Sequence, residues 1–160
     1  CFIGERPFKS FLSEYAMAKP GSITNEHGTV LGRHEGLMFH TIGQRKGLAL
    51  GGQKEGSGQP FYVAKKDITN NALIVVQGER HPSLFASSLT CKPIHWIAGT
   101  PVNKTQLMAK IRYRQADQSC HLNNNTICFD QPQRAITPGQ VIVFYDQYRC
   151  LGSSIILKAK

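Results

Sequence analysis

Apolar side chains along this chain recur first with the period of a helix and afterwards with the period of strands. The positions at helical spacing i, i+3, i+4 and i+7 are Phe8, Phe11, Leu12 and Tyr15. Their spacing predicts a short amphipathic helix, and Pro20-Gly21 prevents that helix from continuing. It is the clearest helix in the sequence, and the pattern that follows it is mainly that of strands.

Two β-hairpins are predicted next, each from a pair of apolar runs separated by turn-forming residues. The first joins 22–24 to 29–31 through a cluster that ends in Gly28, where glycine can supply a positive φ. The second joins 61–66 to 73–76 through polar residues. The two hairpins and the helix together indicate one small domain.

The stretch 36–58 between the hairpins is rich in glycine and predicts a turn or one-turn helix that runs into a flexible loop. No Gly-Lys-Ser or Gly-Lys-Thr follows these glycines, so the stretch is not a phosphate-binding P-loop. His34 and His40 stand near its start, but their spacing is not that of H-E-x-x-H. A zinc hydrolase is therefore disfavoured.

After Gly78 the pattern changes to short β-type runs separated by glycine, proline and asparagine, as in a sandwich or barrel. The runs are 84–97, 107–114, 119–122, 126–129, 141–145 and 150–157. Six strands suffice for a small closed barrel, which leaves no sheet edge exposed. The sequence predicts a mainly β fold: a small central α+β/β domain at 9–78, then a six-stranded β-barrel at 79–160.

The charge balance indicates the class of partner. Nineteen Lys and Arg against ten Asp and Glu give a formal net charge of +9. A positive field favours polyanions, so nucleic acid is the leading partner class. No apolar run approaches the roughly 18 residues that cross a bilayer, and no basic amphipathic helix is visible. A membrane partner is not expected.

The five cysteines are scattered without a C-x-x-C pair, so neither disulfide staples nor a metal site is expected from their spacing. Four of them fall in β-rich segments and are expected to be small buried hydrophobes. These four are Cys91, Cys120, Cys128 and Cys150. Cys1 differs because Arg6 is close, and a cation lowers the pKa of a thiol from roughly 8.5 toward neutrality. Cys1 is either a nucleophile or a structural residue at a domain junction.

A second candidate site lies in the barrel, where Lys110, Arg112 and Arg114 alternate with apolar residues and are expected to share one strand face. Such a basic stripe can neutralise phosphates, and the Tyr113 ring offers a surface on which an unpaired base can stack. The alternative is a solvated strand face with Tyr113 in the core. A Thr-Pro-Gly turn likewise presents the Gln140 amide, a donor and an acceptor, to a ribose, phosphate or base edge.

Four motifs stand out when the chain is taken as a whole. They are Cys1-Phe2-Ile3-Gly4-Glu5-Arg6, the segment 34–48 with Thr41-Ile42-Gly43-Gln44-Arg45-Lys46-Gly47, Arg112-Tyr113-Arg114-Gln115, and Thr137-Pro138-Gly139-Gln140. In this order and at these intervals they resemble the C-terminal part of the bacterial tRNA-specific 2-thiouridylase family. The resemblance covers essentially all 160 residues. It favours the catalytic interpretation of Cys1.

The resemblance implies a transferase that replaces the C2 oxygen of the wobble uridine with sulfur in tRNAs for Lys, Glu and Gln. In the family, ATP with Mg²⁺ serves to adenylate that oxygen in an N-terminal domain before sulfur attacks. Cys1 matches the family cysteine that carries the persulfide. A second family cysteine, in the N-terminal domain, helps release the sulfur by forming a disulfide with the first, and an upstream protein donates the sulfur.

The resemblance also implies where tRNA binds, because Arg112, Tyr113 and Gln140 match positions that contact tRNA, while Arg45-Lys46 is a weaker candidate. No metal ligand is expected in this chain. Residues 1–8 would be the tail of the catalytic domain, ahead of the central domain and a barrel resembling that of translation factors. Alone, these residues are expected to be inactive, and the protein is expected to be monomeric and cytoplasmic.

Two other function classes stay open on the residues alone. One is a non-catalytic nucleic-acid-binding β-barrel module in which Cys1 takes no part. The other is a cysteine hydrolase that pairs Cys1 with one of the six histidines. No spacing singles out a histidine for that role.

Overall fold

A computed structural model describes residues 8–15, 17–50, 58–101 and 106–160 of the chain. The chain divides into two compact units, one up to Leu84 and one from Phe85 onward. Cys1 and its predicted tail lie outside the described residues, apart from the last tail residue, Phe8. So do 51–57 of the predicted loop. The predicted domain limits, 9–78 and 79–160, stay a prediction.

The first unit begins with helix α1, Phe8–Tyr15, as the apolar spacing predicts. The rings of Phe11 and Tyr15, one helical turn apart, are in contact in a tilted arrangement, with centroids 5.0 Å from each other. Helix α1 lies against a one-turn 3-10 helix, Leu37–Phe39, which confirms the predicted turn of helix in the glycine-rich stretch. No helix in the described segments has the length and apolar character needed to cross a membrane.

A four-stranded sheet follows in the first unit, which ends with a one-turn 3-10 helix, Pro82–Leu84. Its strands are β1 (Gly21–Thr24), β2 (Val30–His34), β3 (Phe61–Asp67) and β4 (Ala72–Gln77). Both predicted hairpins are confirmed, because β1 pairs with β2 and β3 with β4, each antiparallel. The sheet order is β2-β1-β4-β3, so a parallel pairing of β1 with β4, which the sequence pattern did not predict, joins the two hairpins.

The second unit is a closed barrel. Its strands are β5 (Phe85–Cys91), β6 (His95–Trp96), β7 (Gln106–Lys110), β8 (Gln118–Asn123), β9 (Thr126–Arg134), β10 (Val141–Asp146) and β11 (Arg149–Ala159). The order β10-β7-β8-β9-β5-β11 closes through the pairing of β10 with β11, which confirms the six-stranded barrel. Alternate side chains such as Leu89, Ile127, Ile142 and Phe144 fill its interior.

Three predicted strand runs of the barrel are wrong in extent. The run 126–129 is too short, because β9 continues to Arg134. The run 84–97 breaks after Cys91, and a separate short strand, β6, pairs with β11. The run 107–114 ends at Lys110, because the side chain of Gln115 accepts the N–H of Ile111 at 2.9 Å and the chain turns away. Arg114 lies in that turn with φ 62. The predicted basic stripe along one strand therefore does not exist.

The prediction that four cysteines are buried is half wrong. Cys91 and Cys120 are buried, whereas Cys128 and Cys150 are exposed, and all four are free thiols. Cys128 points outward because its strand neighbours on both sides face the barrel interior. Burial, with smaller contributions from the Asp130 charge and from Cys128, raises the pKa of Cys120 to about 12. Cys120 is therefore a neutral core residue at physiological pH.

Candidate nucleic-acid interface

The barrel brings the end of β7 next to β10. Lys110 pairs with Val143 and Met108 with Tyr145 in an antiparallel register. Ile142 and Phe144 fill the interior of the barrel, so Val143 and Tyr145 stand on the outer face beside the loop that follows Lys110. The outer face at this point is therefore built from two strands and the loop that leaves one of them.

A cleft of about 700 Å³ opens at that junction. It is lined by Lys110, Ile111, Arg112, Tyr113, Arg114, Gly139, Gln140, Val141, Val143 and Tyr145. The cleft brings together Arg112, Tyr113 and Gln140, the three residues predicted from the sequence to bind tRNA. Three cationic side chains line it without an acidic one, so it suits an anionic ligand.

Tyr113 is 90% exposed, which excludes the interpretation that its ring belongs to the core. The guanidinium carbon of Arg114 lies 5.4 Å from the ring centroid, within the range of a cation–π contact. An exposed aromatic ring beside a cation is the arrangement on which single-stranded bases stack.

Arg112 is anchored at the edge of the cleft, because its Nη2 donates a hydrogen bond to the carbonyl oxygen of Ala135 at 2.9 Å. Partial burial lowers the pKa of Arg112, and the nearby charge of Arg134 lowers it further. The guanidinium nevertheless stays charged at physiological pH, because its ordinary pKa lies far above that range. A bound anion would offset the repulsion between the two guanidinium groups.

Gln140 ends the predicted turn, which the structure confirms. Gly139 has φ 87, a conformation that favours glycine, and the N–H of Gln140 donates to the carbonyl oxygen of Thr137 at 3.2 Å. Two further backbone hydrogen bonds, each 2.8 Å long, join Gly139 and Gln140 to Ile156. Within the described part of the chain, the side-chain amide of Gln140 has no hydrogen-bond partner. It is available to a ligand in the cleft.

Tyr145 is a cleft residue that the sequence reasoning missed. The ammonium nitrogen of Lys110 lies 5.1 Å from the Tyr145 ring centroid and 3.2 Å from a carboxylate oxygen of Asp117. The run 141–145 gave a signal, because it is apolar at every position and only one of its two faces can lie inside a barrel. Its aromatic member on the outer face was therefore a candidate for a surface role.

The weaker candidates Arg45 and Lys46 are exposed in the first unit. The turn before them is held by Gln44, whose Oε1 accepts the N–H of Thr41 and whose Nε2 donates to the carbonyl oxygen of Lys46, each at 2.8 Å. Arg45 lines a separate cleft of about 400 Å³ in this unit. The turn thus presents two cations on a fixed backbone.

The two histidines near that turn are structural. His34 and His40 are buried, with ring centroids 6.0 Å apart, and Nε2 of His34 bonds to the carbonyl oxygen of Asn71 at 3.1 Å. Among the residues that the structure describes, no three His, Cys, Asp or Glu side chains are grouped so that they could hold a metal ion. Cys1 lies outside those residues, and its role as the catalytic residue stays a prediction.

Each of the two units matches a family model of known proteins. The family model described as tRNA methyl transferase PRC-barrel domain matches residues 9–77, and the one described as aminomethyltransferase beta-barrel domain matches residues 86–156. The chain is 51% identical over 98% of its length to a protein of Alcanivorax borkumensis named tRNA-specific 2-thiouridylase MnmA. It is 52% identical, also over 98%, to the protein of that name from Francisella tularensis. The chain covers 44% and 45% of these relatives, less than half of their length.

Proposed function

The chain belongs to the family of the tRNA-specific 2-thiouridylases, and from this premise we propose that it is the tRNA-binding and sulfur-carrying part of such an enzyme. The whole enzyme transfers sulfur to C2 of the wobble uridine. In this proposal the substrates are the tRNAs for Lys, Glu and Gln, and an upstream protein donates the persulfide sulfur. The name of these relatives supports tRNA thiolation, and the cleft supports the binding of RNA.

The observation that carries the proposal is that one cleft gathers Arg112, Tyr113 and Gln140 from two separate segments of the barrel. The three side chains divide the recognition of RNA between them. Arg112 neutralises a phosphate, and the exposed ring of Tyr113 stacks on an unpaired base. The amide of Gln140, which has no hydrogen-bond partner among the described residues, bonds to a ribose, phosphate or base edge. This combination favours a nucleotide that is not base-paired.

Cys1 is the proposed sulfur carrier. The terminal sulfur of a cysteine persulfide is a polarizable nucleophile, and it attacks C2 of the uridine after the C2 oxygen has been converted into a leaving group. A second cysteine of the enzyme then attacks the inner sulfur, so that a disulfide forms while the outer sulfur stays on the base. In this proposal the cation of Arg6, five positions along the sequence, favours the thiolate that this chemistry needs.

ATP with Mg²⁺ supplies the activation of the uridine oxygen in this proposal. As the family resemblance implies, ATP is proposed to bind in a domain N-terminal to these 160 residues, which are expected to be inactive without that domain. The enzyme is proposed to be a monomer that acts in the cytoplasm.

The experiment that tests the sulfur step is ATP-dependent incorporation of labelled sulfur into unmodified tRNA for Lys by the full-length enzyme. The Cys1→Ser variant should lose the label while it still binds tRNA. The matched control is Cys150→Ser, which changes an exposed thiol in the barrel and should leave labelling unchanged. Equal labelling by Cys1→Ser and wild type would make the chain a tRNA-docking module without a sulfur-carrying residue.

The binding half has its own test in the salt dependence of tRNA affinity. Replacing Arg112 by Gln should reduce the slope of log affinity against log salt by about 0.7–0.9, the amount expected for one lost phosphate contact. Arg149→Gln, on the exposed first residue of β11 and outside the cleft, is the control. An unchanged slope for Arg112→Gln would contradict the proposed phosphate contact.

A further inference from the structure

The side chains of Gln115, Gln133 and Gln118 are joined by hydrogen bonds into a chain, called the relay below, and the proposed function gives them no role. The loop 111–117 connects β7 to β8. Gln115 accepts the Ile111 N–H through Oε1 at 2.9 Å and donates from Nε2 to Oε1 of Gln133 at 2.8 Å. Gln133 in turn donates from Nε2 to Oε1 of Gln118 at 2.9 Å. The relay therefore runs from the start of the loop to β9 and back to the start of β8.

Gln133 is the centre of the relay and is only 5% exposed. The second hydrogen of its Nε2 goes to the backbone oxygen of Gln131 at 2.7 Å, so both donors and the acceptor of this amide are engaged. Leaving a buried amide without hydrogen-bond partners costs free energy, because the amide has also lost its contacts with water. The amide of Gln133 therefore has one preferred orientation, in which all its partners are engaged. Gln133 does not line the cleft.

The loop is fastened to the end of β9 at a second point. Arg112 donates to the carbonyl oxygen of Ala135, two residues beyond Gln133. The loop also contains Arg114 in the left-handed region, with φ 62, a conformation that costs free energy in a residue other than glycine. A loop with this backbone needs its surroundings to hold it, and the relay through Gln133 and Gln115 supplies that support.

We propose that Gln133 is a positioning residue for tRNA binding, which holds Gln115 and through it the loop that presents Arg112 and Tyr113. This inference rests on the proposed function of the cleft. It assigns no contact between Gln133 and tRNA. Its consequence is that the cleft should lose affinity when the relay is cut, although every cleft side chain is still present.

The test compares Gln133→Met, which keeps the length of the side chain but cannot hydrogen-bond, with Gln131→Met on the exposed position two residues earlier. Hydrogen exchange of the Ile111 amide is measured first, because its acceptor is the Gln115 side chain. Gln133→Met should accelerate this exchange and leave the core amides of Ile127 and Phe144 unchanged. A general loss of stability would accelerate all three.

The affinity of each variant for tRNA is then measured by fluorescence anisotropy. Gln133→Met should weaken binding at least about fivefold, the effect of one lost buried hydrogen bond, and Gln131→Met should not. In a background that already carries Arg112→Ala and Tyr113→Ala, the same substitution should have no further effect, because the relay acts through those residues. If Gln133→Met does not fold, Gln115→Met cuts the relay at its less buried end.

The outcomes separate this inference from the function on which it rests. If the Arg112→Ala and Tyr113→Ala background binds tRNA as tightly as wild type, the proposed cleft is wrong and this inference falls with it. If that background binds weakly but Gln133→Met binds as wild type, only the positioning role is overturned. Unchanged exchange of the Ile111 amide in Gln133→Met overturns it as well.

Discussion

The guanidinium of Arg114 lies over the ring of Tyr113, 5.4 Å from its centroid, and leaves that ring 90% exposed. The guanidinium can attract a phosphate, while the exposed part of the aromatic ring remains available for a base to stack on. The two neighbours thus combine charge and stacking in one short turn. Their contribution to RNA binding can be separated by substitution.

Replacing Tyr113 by Ala should weaken tRNA binding by about 1–3 kcal/mol, the range measured for one stacked base, whereas Tyr113→Phe should retain most of the affinity. The salt slope should stay the same in both variants, because no charge is removed. Tyr148→Ala is the matched control, since Tyr148 is fully exposed and lies outside the cleft. Equal loss in Tyr113→Ala and Tyr148→Ala would show that stacking in the cleft does not occur.

Replacing Asp117 by Asn should increase affinity for tRNA. The carboxylate of Asp117 lies 3.2 Å from the Lys110 ammonium, and both side chains are partly exposed. Without the carboxylate, the positive charge of Lys110 is no longer offset, so it can neutralise a phosphate and the salt slope should steepen by up to about 0.7–0.9. Stability should change by less than about 1 kcal/mol.

The control for that variant is Asp130→Asn, which removes the partner of His121 on β8. This pair lies outside the cleft, so tRNA affinity should not change. A rise in affinity for both variants would mean that net charge, and not the local ion pair, limits binding.

The buried thiol of Cys120 predicts a loss of stability in alkaline solution. Its folded-state pKa is raised to about 12, well above that of an exposed thiol, chiefly by burial. Between these values the unfolded state loses the thiol proton and the folded state keeps it, so the free energy of unfolding falls as pH rises. Urea unfolding from pH 8.5 to 10.5 should show a steeper fall for wild type than for Cys120→Ala. Parallel curves would contradict the assignment.

Alkylation should distinguish the four described thiols. Cys128 and Cys150 are exposed and should react with iodoacetamide at pH 8 in the folded protein. Cys91 and Cys120 should be protected until the protein is unfolded, because burial raises the pKa of each thiol and blocks access. Peptide mapping by mass spectrometry gives the extent at each site. Early modification of Cys91 or Cys120 would contradict this burial.

A methyl group at Gly152 should weaken the barrel. A Cβ there would collide with the backbone oxygen of His95 and lie 3.1 Å from the Trp96 ring. Because Gly152 pairs with Trp96 where β6 joins β11, the backbone cannot move away without breaking that pairing. Gly152→Ala should lower the free energy of unfolding by about 1–3 kcal/mol. Ser87→Ala, on an exposed position of β5, should change it by less than about 0.5 kcal/mol.

The barrel and both hairpins could be predicted because alternation of apolar residues fixes which face of each strand is buried. The point at which β7 ends could not be predicted in this way. Nothing in the run Lys110-Ile111-Arg112-Tyr113-Arg114 breaks a strand, and the turn depends on Gln115, whose amide replaces a backbone acceptor for Ile111. Side chains that mimic backbone partners are common in turns, but glutamine is not among the usual turn signals.

The candidate site was predicted by resemblance more than by pattern. Alternation placed Lys110, Arg112 and Arg114 on one strand, but β7 ends at Lys110. The three residues nevertheless meet in the cleft, because β10 lies beside β7. Pairing between distant segments is set by the whole barrel and is not visible in a local pattern. The place of Tyr145 in the cleft was missed for that reason, although the apolar run 141–145 indicated an outward-facing aromatic residue. Cys128 and Cys150 were expected in the core because cysteine is often buried. Both are exposed: Cys128 lies on the outward-facing side of β9, and Cys150 lies next to the turn between β10 and β11.

The strand that closes the barrel also sets when this unit can fold during synthesis on the ribosome. Strand β11 pairs with β10, β5 and β6, so none of these contacts exists until residues 149–159 have left the exit tunnel. Before that moment the nascent chain holds an open sheet whose β5 and β10 edges are available to other chains. The wall of the cleft that includes Gln140 is completed only then, since its backbone bonds to Ile156. The proposed RNA-binding cleft is therefore complete only after the last strand of this unit, β11, has joined the sheet.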